Sequence, residues 1–134
     1  MFTTTDALVR ALSSRHIAYQ LQTLENGDEV VSARFQSRKT GIVTIYYRFK
    51  SSNNFVSMYI LGISRAIPEK NIEKTLRFLN ATNSIPSPVR FCLDEKSGEI
   101  DCHLDALLPD EGRRAYLMQL TVCMIKACDQ FINE

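Results

Sequence analysis

The sequence predicts an α+β domain in the order α-βββ-α-ββ-α, in which helices pack against a mostly antiparallel sheet. Alternating apolar residues mark the strand segments, and short polar connections such as "RKTG" and "SSNN" join them as hairpins. Further segments carry apolar residues at helical steps of three and four. The length of 134 residues suits one domain that covers residues 1–134.

The segments with helical spacing open, divide and close the chain. The first helix is predicted over residues 4–15, where Thr3 and Asp6 have the T-x-x-D spacing of a capping box. The second is predicted over residues 67–84, with Pro68 in its first turn. Its expected buried residues are Ile72, Leu76 and Leu79. The third occupies residues 109–134, with an apolar series made of Leu117, Leu120, Met124, Ala127 and Phe131.

The strand segments form two groups, one on each side of the second helix. The first group is "EVVSARFQS", "GIVTIYYRFK" and "NFVSMYILGIS", and the second is "VRFCLD" and "EIDCHL". Ahead of them, the alternation in "IAYQLQ" indicates a short extended segment, and the Asn-Gly pair in "ENGD" indicates a tight turn. His16 is interpreted as a residue near the end of the first helix.

Alternation along the first two strands separates the two faces of the sheet. The face predicted to pack against the helices takes Val31, Ala33, Phe35, Val43, Ile45, Tyr47 and Phe49. The opposite face takes Val30, Arg34, Ile42, Tyr46 and Arg48. The third strand is apolar on both sides, so it adds to that second face either Val56, Met58 and Ile60 or Phe55, Tyr59, Leu61 and Ile63. Either choice leaves large apolar groups where a solvent-facing strand normally has polar ones.

This apolar second face has three interpretations. Other parts of the chain cover it, a protein binds it, or Tyr46 stacks nucleic-acid bases beside Arg34 and Arg48. Aromatic residues, methionine and arginine together favour a protein interface, filled by a protein partner or by a second copy of the chain. The residues predicted to contact the partner are Val30, Arg34, Ile42, Tyr46, Arg48 and Met58.

Charge and motifs argue against several classes of function. The net charge is +1, from 16 basic and 15 acidic residues, and this lacks the basic excess of a general nucleic-acid binder. The apolar stretches are too short to span a bilayer and the N-terminus lacks secretory features, so we expect a cytoplasmic protein. The P-loop, G-x-S-x-G, G-x-G-x-x-G and H-E-x-x-H patterns are missing. We therefore expect no enzyme activity, catalytic residue, cofactor, metal or small-molecule substrate.

The four cysteines are expected to be reduced. In the predicted hairpin Cys92 points outward and Cys102 inward, and Cys123 and Cys128 lie at a poor angle around one helix. Asp94, Asp101, His103 and Asp105 share the outward face of that hairpin, where metal ligands or ordinary solvated residues would both fit. The alternative to a binding module is therefore a small enzyme or metal-binding protein that uses the side chains of Cys92, Asp94, Asp101 and His103.

A pair of asparagines precedes this hairpin. Three roles are open for Asn80 and Asn83: binding a ligand, capping their helix, or bonding to nearby backbone. They are followed by "VRFCLDEKSGEIDC", in which the pattern R-[FY]-x-L-[DE] is occupied by Arg90, Phe91, Leu93 and Asp94. In these features the chain resembles the YbjN-like bacterial proteins over nearly its whole length, from "LVRALSSRHIAY" to "DQFINE". The "IPSP" insert departs from the family pattern.

The resemblance implies a type III secretion chaperone-like fold and a non-enzymatic regulator of sensory transduction. Secretion chaperones of that fold dimerise and hold extended segments of partner proteins. A role in a secretion system does not follow, because fold does not fix function. The expected function is a protein-binding module that acts as a regulatory or chaperone-like protein.

Overall fold

The computed structural model describes residues 1–39, 41–50, 54–63, 72–84 and 87–132. Within these ranges it has an α+β arrangement of three helices and six strands. In chain order they are α1 (Thr3–Ser14), β1 (Tyr19–Thr23), β2 (Glu29–Ser37), β3 (Gly41–Phe49), β4 (Phe55–Ile60), α2 (Ile72–Asn83), β5 (Val89–Asp94), β6 (Glu99–Leu107) and α3 (Arg113–Ile132). The predicted fold class and element order are confirmed, and the extended segment before the Asn-Gly turn is an additional strand.

The six strands form a single sheet in the order β1-β2-β3-β4-β6-β5, and every neighbouring pair is antiparallel. The Asn-Gly turn joins β1 to β2: Leu24 N–H donates to the Asp28 carbonyl at 2.8 Å, and Gly27 has a φ of 91° that suits glycine. After α2 the chain returns as β5 and then β6, and β6 inserts between β5 and β4. The two edges of the sheet are therefore β1 and β5.

One face of the sheet carries the helices and the hydrophobic core. Helices α1 and α3 pack against each other and against this face, while α2 packs on β5. The alternation predicted for β2 and β3 is confirmed, because the core face holds the buried residues Val31, Ala33, Val43, Ile45, Tyr47 and Phe49. The Tyr47 hydroxyl lies in this core and shares a hydrogen bond of 2.7 Å with the Thr121 hydroxyl. The tyrosine therefore ties the sheet to α3 and leaves no buried hydroxyl unpaired there.

The start of α1 differs from the prediction. Phe2 is the N-cap residue and makes no side-chain cap, and Asp6 pairs with Arg10 instead of closing a capping box. The carboxylate that accepts a hydrogen bond at the start of α1 belongs to β2: Phe2 N–H donates to Glu29 Oε1 at 2.8 Å. Burial acts to raise the pKa of Glu29, but hydrogen bonds led by that from Phe2 lower it below its usual value. An acid next to a helix N-terminus stabilises it, so a residue distant in sequence replaces the predicted box.

The end of α1 explains His16. Its N–H donates to the Ser13 carbonyl at 3.1 Å, and Ile17 N–H donates to the Leu12 carbonyl at 2.9 Å. This is the Schellman arrangement, with His16 in the left-handed position at a φ of 56°. The interpretation of His16 as a helix-end residue is confirmed, and the motif directs the chain into β1.

The second helix buries less than the spacing predicts. Leu79 is buried, Ile72 is half-buried and Leu76 is 45% exposed. The reason is that α2 packs on the edge strand β5 and not over the middle of the sheet. Pro68 lies outside the described residues. The third helix follows its prediction more closely, since Leu117, Leu120 and Met124 are buried and Ala127 and Phe131 pack against the core.

The structure decides the orientation of β4. Met58 lies directly opposite Tyr47 on one side and Leu104 on the other, and all three are buried on the core face. The placement of Met58 on the second face is therefore wrong, because its two neighbours commit that position to the core. Tyr59 is on the second face instead. Ile63 does not follow it: Gly62, with a φ of 62°, breaks the alternation, and Ile63 is buried.

The β5 edge of the sheet is covered by side chains. Asn83 donates from Nδ2 to the Phe91 carbonyl at 2.9 Å, and its Oδ1 accepts from Phe91 N–H at 3.0 Å. Next to it, Val89 N–H donates to Ser87 Oγ and the Val89 carbonyl accepts from Arg90. Asn83 thus bonds to nearby backbone, which is one of the roles expected for the asparagine pair, while Asn80 is an exposed residue of α2. The amide of Asn83 occupies the place that a further strand would take.

Adjacent residues of β4 provide a test of its orientation. Met58→Glu buries an unpaired charge at a cost of several kcal/mol, against a typical total stability of about 5–15 kcal/mol. We expect this variant to be unfolded or to melt at a much lower temperature, as measured by circular dichroism. Tyr59→Glu is the matched control and should melt close to the wild type. Equal losses in the two variants would contradict the assigned faces.

The Asn83 amide is the target of a second test. Asn83→Ala leaves both Phe91 backbone groups without their partner, which should lower the free energy of unfolding by about 1–3 kcal/mol in a urea titration. Asn80→Ala removes a similar amide from an exposed position and should change stability by less than about 0.5 kcal/mol. If the bonds from Asn83 to Phe91 contributed nothing to stability, both variants would unfold at the same urea midpoint.

Candidate partner-binding face

The sheet face opposite the core, called the open face below, carries a row of ring side chains. Tyr46 of β3 lies opposite Tyr59 of β4, and Tyr59 lies opposite His103 of β6. The two tyrosine rings are stacked, with centroids 5.3 Å apart and an interplanar angle of 12°. The His103 ring meets Tyr59 edge-on at 6.5 Å and 84°. This aromatic row therefore crosses three neighbouring strands as a continuous surface.

Exposed aliphatic side chains flank the aromatic row. Ile42 is 68% exposed, Leu61 is 55% exposed and Leu107 is 74% exposed. By strand alternation all three belong to the open face. Between Ile42 and Leu61 the described strands β3 and β4 diverge, since their pairing spans Tyr46–Phe49 of β3. The divergence leaves a hollow of about 410 Å³ beside Tyr46.

The positive charges of this face have different environments. Arg48 donates from Nε to Asp28 Oδ2 at 2.8 Å, and its Nη2 lies 2.8 Å from the same oxygen. Asp28 is buried, so this ion pair orients the guanidinium on the sheet surface. Arg34 is exposed on β2. Arg48 is therefore held in place by the chain itself, and Arg34 is the more accessible of the two arginines.

The hairpin residues weighed as metal or catalytic groups have structural contacts. Asp94 Oδ1 accepts from Lys96 N–H at 3.0 Å inside the turn, and Asp101 Oδ1 accepts from Gly62 N–H at 2.8 Å. His103 Nε2 lies 3.1 Å from Asp105 Oδ1. Cys92 is exposed, and it lines a hollow of about 520 Å³ together with Asp101 and His103. In the described parts of the chain no three His, Cys, Asp or Glu side chains are arranged to hold a metal ion.

The cysteines are free thiols in the arrangement expected from strand alternation. Cys92 is exposed and Cys102 is fully buried. A hydrogen bond with Cys128, followed by burial, raises the pKa of the Cys102 thiol. Cys102 and Cys128 are neighbours because α3 packs on β6, a contact that spacing along the sequence does not reveal. Both thiols are part of the core.

The structure brings most of the predicted partner-binding residues together. The open face holds five of the six, namely Val30, Arg34, Ile42, Tyr46 and Arg48, and the sixth, Met58, is in the core. Sequence reasoning left Tyr59 as an alternative, and it did not join His103 to the same surface. The missing information was the strand order, since β6 lies beside β4 only in the folded sheet. That these residues contact a partner stays a prediction.

Comparison with known proteins adds no assignment. No protein-family model matches the chain, and none of the curated proteins matches it. Among the described helices, none has the length and hydrophobicity needed to cross a membrane. The geometry of the open face and the resemblance in the sequence are therefore the two features that bear on function.

The stacked tyrosines should be energetically coupled. Directly opposed aromatic residues on neighbouring strands contribute roughly 0.2–1 kcal/mol beyond their separate effects. A double-mutant cycle with Tyr46→Ala, Tyr59→Ala and the double variant should give a coupling of that size in urea unfolding. Strict additivity would mean that the two rings do not support each other in solution.

Proposed function

We propose that this chain is a non-enzymatic protein-binding module, a regulatory or chaperone-like protein that holds a segment of a partner protein on its open face. The observation that carries the proposal is the aromatic row of Tyr46, Tyr59 and His103 with exposed aliphatic side chains beside it. The partner segment is expected to be apolar or aromatic, because it has to pack on these rings. Ile42 and Leu61 provide the adjoining apolar contacts.

The contacts between side chains of the open face support a binding role. Each ring of the row contacts a ring on the next strand, and Arg48 pairs with Asp28. Side chains that are already ordered lose less conformational entropy when a partner binds. Aromatic residues and arginine are also the residue types that interface cores favour. The net charge of +1 makes nucleic acid a weaker choice of partner for the same rings.

The resemblance to the YbjN-like proteins supports the same proposal. Its most specific feature is an asparagine pair ahead of an R-[FY]-x-L-[DE] strand, and here Asn83 bonds to both backbone groups of Phe91. The pattern thus has a physical reason, because the amide from α2 covers the β5 edge. Membership in that family, its type III secretion chaperone-like fold and its regulatory role belong to the proposal. A cytoplasmic location also belongs to it and suits four free thiols.

A charge on the aromatic row tests the proposal. We expect Tyr46→Glu to remain folded, because Tyr46 lies outside the core, and to lose partner capture in a pull-down from the native cell. An unpaired charge at the centre of an interface costs several kcal/mol, which is a loss of more than about a hundredfold in affinity. The matched control is Val122→Glu, which puts the same charge on an exposed position of α3. Partners retained equally by wild type, Tyr46→Glu and Val122→Glu would show that the open face is not used.

A further inference from the structure

In the part of the chain that the structure describes, no strand pairs with the outer edge of β1. All five of its residues, Tyr19–Thr23, are exposed, and it pairs with β2 on one side only. Its sequence "YQLQT" contains no charged residue and no proline, and its register with β2 runs without a bulge. Edge strands usually carry a charged residue, a proline or a bulge, which prevents pairing with another chain. The contrast with β5 is direct, since side chains occupy the backbone of Val89 and Phe91 there.

The hydrogen-bonding groups on this edge can be assigned from the turn. Leu24 N–H donates to the Asp28 carbonyl, so residues 24 and 28 form a hydrogen-bonded pair of the antiparallel ladder. Such pairs alternate along the ladder. The backbone groups of Gln20 and Gln22 therefore face β2. Those of Tyr19, Leu21 and Thr23 point away from the sheet.

We propose that a second copy of this chain occupies the β1 edge, in antiparallel pairing centred on Leu21. In this register Leu21 opposes Leu21 of the other copy, and Tyr19 opposes Thr23. All of these residues have outward-pointing backbone groups, so three hydrogen-bonded pairs form, with about six N–H to carbonyl bonds. A shift of one residue sets outward groups against inward ones. A shift of two residues keeps outward groups opposed, but the two β1 strands then overlap less and share only about four of the six bonds.

The side chains of "YQLQT" also match themselves in this register. Leu21 meets Leu21, and Tyr19 meets Thr23, an aromatic residue against a β-branched one. On the other face Gln20 meets Gln22, whose amides can bond to each other. The strand is bounded by Arg15 before it and Glu25 after it, and both are exposed. Antiparallel pairing brings the Glu25 end of one copy toward the Arg15 end of the other, so opposite charges approach.

The symmetry of this dimer places both open faces on one side. An antiparallel pair of edges is related by a two-fold axis perpendicular to the sheet, so the helices of both copies lie on the same side. Two sheets of six strands become one continuous sheet. The Tyr46 strands of the two copies are then five strand spacings apart, about 24 Å. This inference does not depend on the proposed function, because it uses the edge of the sheet and not its open face.

Cysteine cross-linking tests both the pairing and its register. Opposed residues of a hydrogen-bonded pair have Cα atoms about 5.5 Å apart, which is within disulfide range. In a Cys92→Ser background, Leu21→Cys should form a covalent dimer on mild oxidation, at least about tenfold faster than Gln20→Cys because the paired thiols are held together. Gln20 of one copy opposes Gln22 of the other copy, so the two Gln20 residues are two positions out of register and too far apart for a disulfide. A mixture of Gln20→Cys and Gln22→Cys chains should cross-link, since those positions oppose each other.

Sedimentation provides the second measurement. Wild type should sediment as a dimer and Leu21→Lys as a folded monomer, while Tyr46→Glu should keep the dimer mass. Equal cross-linking rates for Leu21→Cys and Gln20→Cys, or a monomeric wild type at about 100 μM, would overturn the proposal. The proposal would also be overturned if Leu21→Lys stopped capturing a different protein while its sedimentation mass stayed that of the wild type. The edge would then be assigned to that protein. Failure of the open-face proposal would leave all of these readings unchanged.

Discussion

A row of apolar side chains that crosses the sheet fixes the positions of everything else. Val31, Tyr47, Met58, Leu104 and Val89 lie opposite one another on five neighbouring strands, and all are buried. A slip of one residue in any strand would turn its apolar set to the wrong face, so the row commits every register at once. The residue next to each member is then committed to the open face. The aromatic row is the neighbour of this buried row and inherits its alignment.

The same row ends at the β1 edge. Leu21 continues it beyond Val31, but it is 41% exposed because it lies at the border of the core. An apolar residue in register with the core and open to solvent is the point at which the core could be extended. The open face and the free edge are thus two results of one packing pattern.

The sequence predicted the fold class and most element positions because alternation and helical spacing are local signals. It also predicted which face Tyr46 and Tyr47 would take, since β2 and β3 have different residue types on their two sides. Met58 and Tyr59 could not be separated in this way, because β4 is apolar on both sides and its orientation depends on β3 and β6. His103 joined the candidate face through the strand order, which no local pattern encodes. The Asn83 clamp and the Glu29 contact with α1 are likewise pairings between segments distant in sequence.

The bonds from the Asn83 amide to the Phe91 backbone limit the edges at which the sheet can accept further strands. A sheet with two accessible edges can add neighbours at both ends without limit, which is the geometry of a growing fibre. Here side chains occupy the backbone groups of Val89 and Phe91 at one end, so among the described strands β1 is the edge left to accept another strand. Whatever strand pairs there completes the sheet and leaves no further edge for another strand. Asn83 at the end of α2, together with the Ser87 and Arg90 contacts at Val89, thereby favours a finite assembly over polymerisation.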